Sequence, residues 1–572
     1  MERLAVLCAC AVALAAATVD DSRRLALAAA TGDDSRRLES GGTPIYDMAH
    51  HTWGYDGVNM RRDSTFLSFF VFLLIVALVA GSGVSRRFAW LPEACVVLLV
   101  GVVAGLVCKE IYDARTTKRQ HTFFTKPLLG FDNSLFFLAL LPPIIFHSGY
   151  ELRPRWLAAN FGTIASLAAL GTLASSVVVA VAVLAWSSAG GRGVSFAECL
   201  SFGALVSATD PVSVLAVFAA RRVDRKLFYL VFGESVLNDA VGIVLFKTFS
   251  KHVGSAKSSG GSAALIACLD FFVIFGGSMV LGAALAALCA GLLRLLRLPR
   301  GGRDADATHA AAKLQVAVLA IFVFAPAFVA ELVEMSGIVT TLFAAMGARH
   351  WCRPNLVDDA RASADAVFAT LAHLADAAVF LYLGLSLPFA NWARDSSASL
   401  VAVALVACLV GRASHVYPIA HAFNRKAAPG DVVPPNFQHM LWFSGLRGAV
   451  AFSCAHAFPN DNGHRDLFAT TTSALIVVTT LVGGATTDAA LRALAIPTGC
   501  GDGADPPRPA HFGCLAAVDA VLYPCLVAPD IDPVTPRGEA EAHSAGAQLE
   551  LAPMAPDDAA TWNPTVAAAG VA

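Results

Sequence analysis

An all-α polytopic membrane protein of about 13 transmembrane helices, arranged as two inverted repeats with discontinuous helices, is the fold class this sequence predicts. Three observations predict it. The chain of 572 residues is 56% hydrophobic and 15% charged, with a mean hydropathy of +0.62, where soluble domains carry about 25% charged residues. Its apolar runs recur at bilayer length, about 20 residues each. Two of those runs are interrupted halfway, at corresponding places in the two halves of the chain.

At the N-terminus, MERLAVLCACAVALAAATVDD has one early arginine, an apolar core of about 15 residues and small residues before the acids, which reads as a signal peptide over residues 1–20. Residues 21–64 are polar, contain DDSRRL twice, and read as a lumenal or extracellular segment in which His50 and His51 are solvated loop residues rather than metal ligands. The apolar spans then fall at 65–84, 89–108, 132–150, 157–186, 196–220, 227–249, 263–296, 313–332, 336–349, 364–388, 398–421, 437–458 and 467–490, thirteen in a transmembrane domain of residues 65–490. The eighth and ninth are the hardest to separate, because two short runs meet at ELVEMSG. Thirteen crossings after a cleaved signal start outside and end inside. The inside loops then hold SRR, ELRPR, ARRVDRK, RLLRLPRGGR and NRK, as the cytoplasmic excess of Lys and Arg requires. The basic loop around DARTTKRQH runs against that rule. Residues 491–572 form a short cytoplasmic tail, in which HFGCLAAVDAVLYPCLVAP makes one amphipathic or interfacial element and the remainder is compositionally disordered.

The charge balance, 41 basic against 43 acidic residues for a net −2, leaves no basic surplus to suggest nucleic acid. The 13 cysteines, among them Cys95, Cys108, Cys199, Cys268 and Cys408, are scattered with no CxxC or Cys/His ligand spacing, so neither a disulfide framework nor a zinc site is expected and no cofactor is implied. Membrane lipid is the partner that the composition demands.

Polar residues stand inside three of the spans. SFGALVSATDPVSVLAVF carries Thr209, Asp210 and Pro211 about halfway through, and a proline there removes a helix hydrogen bond and clashes with the preceding turn. MLWFSGLRGAVAFS has Gly445, Arg447 and Gly448 at mid-span. VFGESVLNDAVGIVLF keeps helical spacing but places Glu234, Asn238 and Asp239 where hydrocarbon is expected, and a charged side chain near the bilayer centre costs about 2.5–3.5 kcal/mol. Irregular backbone at that depth persists only where protein or a water-filled cavity covers it. The breaks lie in the fifth and twelfth spans, so with the seventh as a linker each half has its fifth member interrupted. That is the pattern of inverted repeats, whose interrupted pairs mark a transporter's central site.

LLPPIIFHSGYEL, SATDPVSVLAVF, VFGESVLNDAVGIVLF and SGLRGAVAFS, in this order, resemble the eukaryotic sodium/proton exchangers, of the monovalent cation:proton antiporter 1 type in the cation/proton antiporter superfamily. The resemblance covers about residues 65–490. It implies that the discontinuous helices cross, that the protein is a homodimer and not an enzyme, and that it exchanges Na+ (or K+) for H+ electroneutrally, regulating cytosolic or organellar pH and cation content. It also implies that Glu234 pairs with Arg412 of CLVGRASHVYP. IIFxSGY is closer to the Golgi and endosomal branch than to the plasma-membrane one, and both locations stand as expectations. Many exchangers carry a long tail with basic helices for calmodulin and lipid; none is visible here, which argues against regulatory tail partners. His147 replaces the acid common in the third-span motif, so the resemblance carries no expectation of a pH set-point or inhibitor sensitivity.

The residues read on their own suggest matching chemistry. A hard cation takes oxygen ligands, which Asp239, Asp210, the Thr209 hydroxyl and unwound carbonyls near 208–210 can supply to Na+ or K+. A proton takes the same carboxylate, so an Asp239 that holds one or the other and crosses only when occupied exchanges them one for one. Asn238 is neutral where a second aspartate would add a titratable charge, as in related electrogenic antiporters.

Each residue also has a structural reading. Asp239 can be a hydrogen-bonded carboxylate and Asp210 a helix cap. Glu234 with Arg412 reads better as an ion pair than as a transport element, because intramembrane charges pair. Arg447 reads as a counter-charge for the crossed helices, since a cation does not bind a cation, and His147 as a packed or pore-facing polar residue rather than a pH sensor. Two rival classes remain. A cation channel accounts for acidic pore residues but not for one proton-competent carboxylate at crossed breaks. An intramembrane aspartyl protease normally shows GxGD, whereas Asp210 and Asp239 follow Thr and Asn.

Overall fold

The computed structural model describes residues 57–88, 91–115, 136–210, 212–253, 261–296, 305–389, 398–427, 432–500 and 513–527. The signal peptide, residues 21–56 of the polar segment, most of the DARTTKRQH loop, Pro211 and residues 528–572 lie outside the described residues. Among those described, every regular element is a helix.

Each apolar segment of the sequence falls on a helix or on a helix in pieces. Nine helical stretches among the described residues are long and apolar enough to cross a membrane. The segments at 93–115, 136–151, 337–352 and 435–456 are shorter, interrupted or charged at their ends. The first helix, Gly57–Arg87, begins before the apolar run does, because a helix continues into its polar flank where hydropathy no longer signals it. The eighth segment divides into Ala305–Phe322 and Ala325–Leu332, with a proline in the first turn of the second piece. A proline is tolerated at a helix start and not in its interior.

The helices pack in two groups. One contains the helical stretches of 154–190, 196–221, 225–250, 398–424, 435–456 and 465–493; the other contains those of 57–87, 93–115, 136–151, 261–295, 337–352 and 358–386. The largest apolar core fills the first group and reaches Leu141, Ile145 and Leu342 of the second. In the second group, Glu93–Arg115 and Asp358–Ser386 touch backbone to backbone, and a Cβ on Gly101 would meet the Leu381 carbonyl at 2.5 Å. Glycines at 101 and 384 let the two helices approach this closely, and Asp358–Ser386 also touches Ala449–His456 of the first group.

Candidate functional site

Both interruptions occur where the sequence placed them, and they touch. The helix Phe196–Ser207 opens on a capping box between Ser195 and Glu198 and ends at Ala208, which is extended. Helix resumes at Val212, whose N–H donates to Asp210 Oδ1 at 2.9 Å. In the other segment Pro435–Phe443 stops at Ser444 and Ala449–His456 begins after an extended Gly448. The Asp210 N–H donates to the Leu446 carbonyl at 2.9 Å. Arg447 Nη1 donates to the Ser207 and Ala208 carbonyls at 3.4 and 3.3 Å. A guanidinium there faces the unsatisfied carbonyls and negative dipole end of Phe196–Ser207. The Arg447 backbone is tied to the π-turn Thr479–Gly483: its N–H donates to Thr479 Oγ1 at 3.2 Å and its carbonyl accepts from Thr480 Oγ1 at 3.3 Å. Gly448 lies against the Asp210 carboxylate so closely that a Cβ would overlap it.

Helix Arg225–Ser250 runs past this crossing without a break, capped by Asp224. Glu234 and Asn238, four residues apart on one face, enter a buried chain of hydrogen bonds. Arg412 donates to both Glu234 oxygens at 2.8 Å, and the two side chains are 3% and 2% exposed, a fully desolvated pair. Arg412 also donates to the Leu441 carbonyl at 3.0 and 2.8 Å. Asn238 Nδ2 donates to Glu234 Oε1 at 3.0 Å and to Thr209 Oγ1 at 2.6 Å, and Asn238 Oδ1 accepts from the Thr209 N–H at 3.0 Å. Thr209 Oγ1 also lies 3.3 Å from Ser235 Oγ. The first break is thereby linked to the Glu234–Arg412 pair.

On the other side of the crossing lies a partly open cavity. Asp210, Asp239 and Asp376 line it with Ser148 among small and apolar residues. Among the described residues none of the three aspartates makes an ion pair with a basic side chain. The structure therefore brings Asp210 and Asp239 to one cavity, while Thr209 and Asn238 are buried in the hydrogen-bonded chain behind it and do not line it. Glu234 and Arg412 meet each other, and Arg447 joins the two breaks. His147 lies 3.7 Å from Glu151, one turn along its own helix, outside the cavity lining.

Sequence reasoning passed over Asp376 and Ser148. Asp376 had a signal: it is an acid in the middle of an apolar run, LAHLADAAVFLYLGL, which by itself marks an intramembrane functional residue. No helix breaker accompanies it.

Among known proteins, sodium/hydrogen exchanger 5 of Arabidopsis thaliana is 35% identical over 73% of this chain and 77% of its own. Sodium/hydrogen exchanger 8 of Homo sapiens is 31% identical over 76% of this chain and 73% of its own. The solved sodium proton antiporter MjNhaP1 of Methanocaldococcus jannaschii superposes with a TM-score of 0.49 at 17% identity, over 75% of this chain and 98% of that one. Residues 73–493 match the family model described as sodium/hydrogen exchanger, transmembrane, and the chain belongs to that family.

Proposed function

We propose that this protein is a secondary antiporter that exchanges Na+ (or K+) for H+ across a membrane, one for one and without net charge movement, with Asp239 as the carrier and Asp210 as its neighbour at the cation. One observation carries the reading: Asp210 and Asp239 share a cavity at the contact of two interrupted helices, and among the described residues neither has a basic partner. An unpaired carboxylate at that depth is costly unless a proton or a cation joins it, so the two substrates compete for one site. The Arg447 guanidinium is turned to the helix-end carbonyls and leaves the carboxylates to the ion. Membership of the exchanger family and the names of its relatives support the same reading.

The wider proposal has thirteen crossings, a signal peptide, a homodimer, residence in Golgi, endosomal or plasma membrane, and a part in setting pH and cation content. The test is a Na+ gradient across proteoliposomes holding a pH dye, with the potential clamped by K+ and valinomycin. Na+-driven proton movement that ignores the clamp supports the exchanger. Currents under voltage clamp without coupled proton movement would sink it in favour of a channel.

A further inference from the structure

The cavity receives carboxylates from both of its walls. Asp210 and Asp239 belong to the helix group that contains the breaks; Asp376 belongs to Asp358–Ser386 in the other group. That helix is continuous through Asp376 and is held to Glu93–Arg115 by the glycine contacts at 101 and 384. Its acid is therefore carried by a helix with no break of its own, which also packs on Ala449–His456 of the second interrupted segment.

Oxygen ligands on the first wall are scarce. The Thr209 hydroxyl is engaged by Asn238 at 2.6 Å and stands outside the lining. Asp210 Oδ1 already accepts the Val212 N–H at 2.9 Å. Ser148 donates its hydroxyl to the Ile144 carbonyl at 2.9 Å and can offer only its lone pairs. A hard cation held in a protein takes about six oxygens, more than the carboxylates of Asp239 and Asp210 supply between them, the latter already accepting backbone N–H groups of Val212 and Ala449. The nearby basic groups are engaged elsewhere: Arg447 with the Ser207 and Ala208 carbonyls, Lys247 with Glu331 at 3.4 Å. Three carboxylates on one cavity in a low-dielectric setting do not all stay ionised unless positive charge joins them.

We propose that Asp376 is a third, cation-contacting carboxylate, which completes from the opposite wall the oxygen set begun by Asp239 and Asp210. The inference rests on the exchange reading of this cavity and adds to it a residue that determines cation affinity and selectivity. Among the described residues no three acids stand close enough together to hold an ion between them, so Asp376, on the other helix group, makes its contact when the two groups approach. It therefore acts on cation binding more than on the proton step at Asp239.

The experiment uses the full chain with Asp376→Asn, Asp376→Glu and Asp239→Asn, measuring the KM for Na+ and the maximal rate in proteoliposomes, and the rise in melting temperature that Na+ produces in detergent. Asp376→Asn should raise the KM for Na+ by about tenfold while holding the maximal rate within about threefold. It should also shrink the Na+-dependent melting shift, and Asp376→Glu should restore most of both. An unchanged KM with an unchanged melting shift overturns the proposal. So does a loss of maximal rate at constant KM, which marks a structural role. If Asp376→Asn does not accumulate, Asp376→Glu bears the test through the ratio of KM for Na+ to KM for K+, and a ratio equal to the parent's overturns the assignment. A parent chain that moves no protons under a Na+ gradient defeats the exchange reading instead, and the melting shift still reports on Asp376.

Discussion

Glu234 and Arg412, 178 residues apart in the chain, form a two-point ion pair in the interior of the protein, each carboxylate oxygen 2.8 Å from a guanidinium nitrogen. The pair also holds the second break, because the same guanidinium donates to the Leu441 carbonyl and contacts Ser444 Oγ at 3.4 Å, the residue at which that helix stops.

Removing one charge leaves the other buried and unpaired, which costs about 3–5 kcal/mol. Glu234→Gln should therefore melt well below the parent in detergent. The exchange Glu234→Arg with Arg412→Glu should recover only part of the loss, since a glutamate at 412 cannot donate to Leu441. Melting curves of both single variants that coincide with the parent would remove the pair from the stability of the fold.

Asp239→Asn preserves shape and removes the exchangeable charge. The variant should insert and melt like the parent while Na+-driven proton movement falls below about one part in a hundred, the scale of losing a group needed in the transport step. More than a few per cent of parental flux in a well-expressed variant would take Asp239 out of the mechanism.

How much of this was legible in the sequence depended on what each residue does to its own segment. The breaks at 208–210 and 444–448 were readable because proline and glycine disrupt a helix wherever they fall. Glu234 and Arg412 were found together through a motif, which names partners across a distance that periodicity cannot span. The direction in which Thr209 points was not legible: once a segment unwinds, side-chain direction follows the local dihedrals, and here it turns to Asn238. Asp376 was missed for the opposite reason. It sits in an uninterrupted helix, and only the packing of Asp358–Ser386 against Leu141–Glu151 and Ala449–His456 brings it to the cavity.

Gly448 offers a steric test of the crossing. A Cβ there would overlap the Asp210 carboxylate, so Gly448→Ala must either push Asp210 out of place or part the two breaks. Overpacking of this kind costs about 1–3 kcal/mol, and transport should fall by about tenfold, the rate equivalent of 1.4 kcal/mol. Gly83→Ala is the control, because a Cβ at Gly83 meets nothing within 4 Å; it should leave melting and flux at the parental level. Full activity of Gly448→Ala would mean that the carboxylate and the break can separate without consequence.

Asn238 tests whether the residue beside the carrier sets the charge balance or the architecture. On sequence alone, an aspartate there adds a second titratable group next to Asp239 and should make exchange sensitive to voltage or stop it. The structure gives position 238 a different duty. Its amide donates to Glu234 and to Thr209 at 3.0 and 2.6 Å, and its oxygen accepts from the Thr209 backbone at 3.0 Å. It does not line the cavity. A carboxylate in its place can accept the Thr209 N–H but cannot donate to Glu234, and it sets two like charges against one guanidinium. Losing a buried donor costs about 1–3 kcal/mol. Asn238→Asp should therefore lower the melting temperature and the flux, and whatever flux remains should not respond to potential. Asn238→Leu, which removes the donors without adding a charge, should fall with it. The measurement is Na+-driven pH change in proteoliposomes at two potentials set by K+ and valinomycin. Vigorous, voltage-dependent exchange by Asn238→Asp would return the residue to the ion's own path, and an active Asn238→Leu beside a dead Asn238→Asp would show that the added charge, and not the lost donors, is what the site refuses.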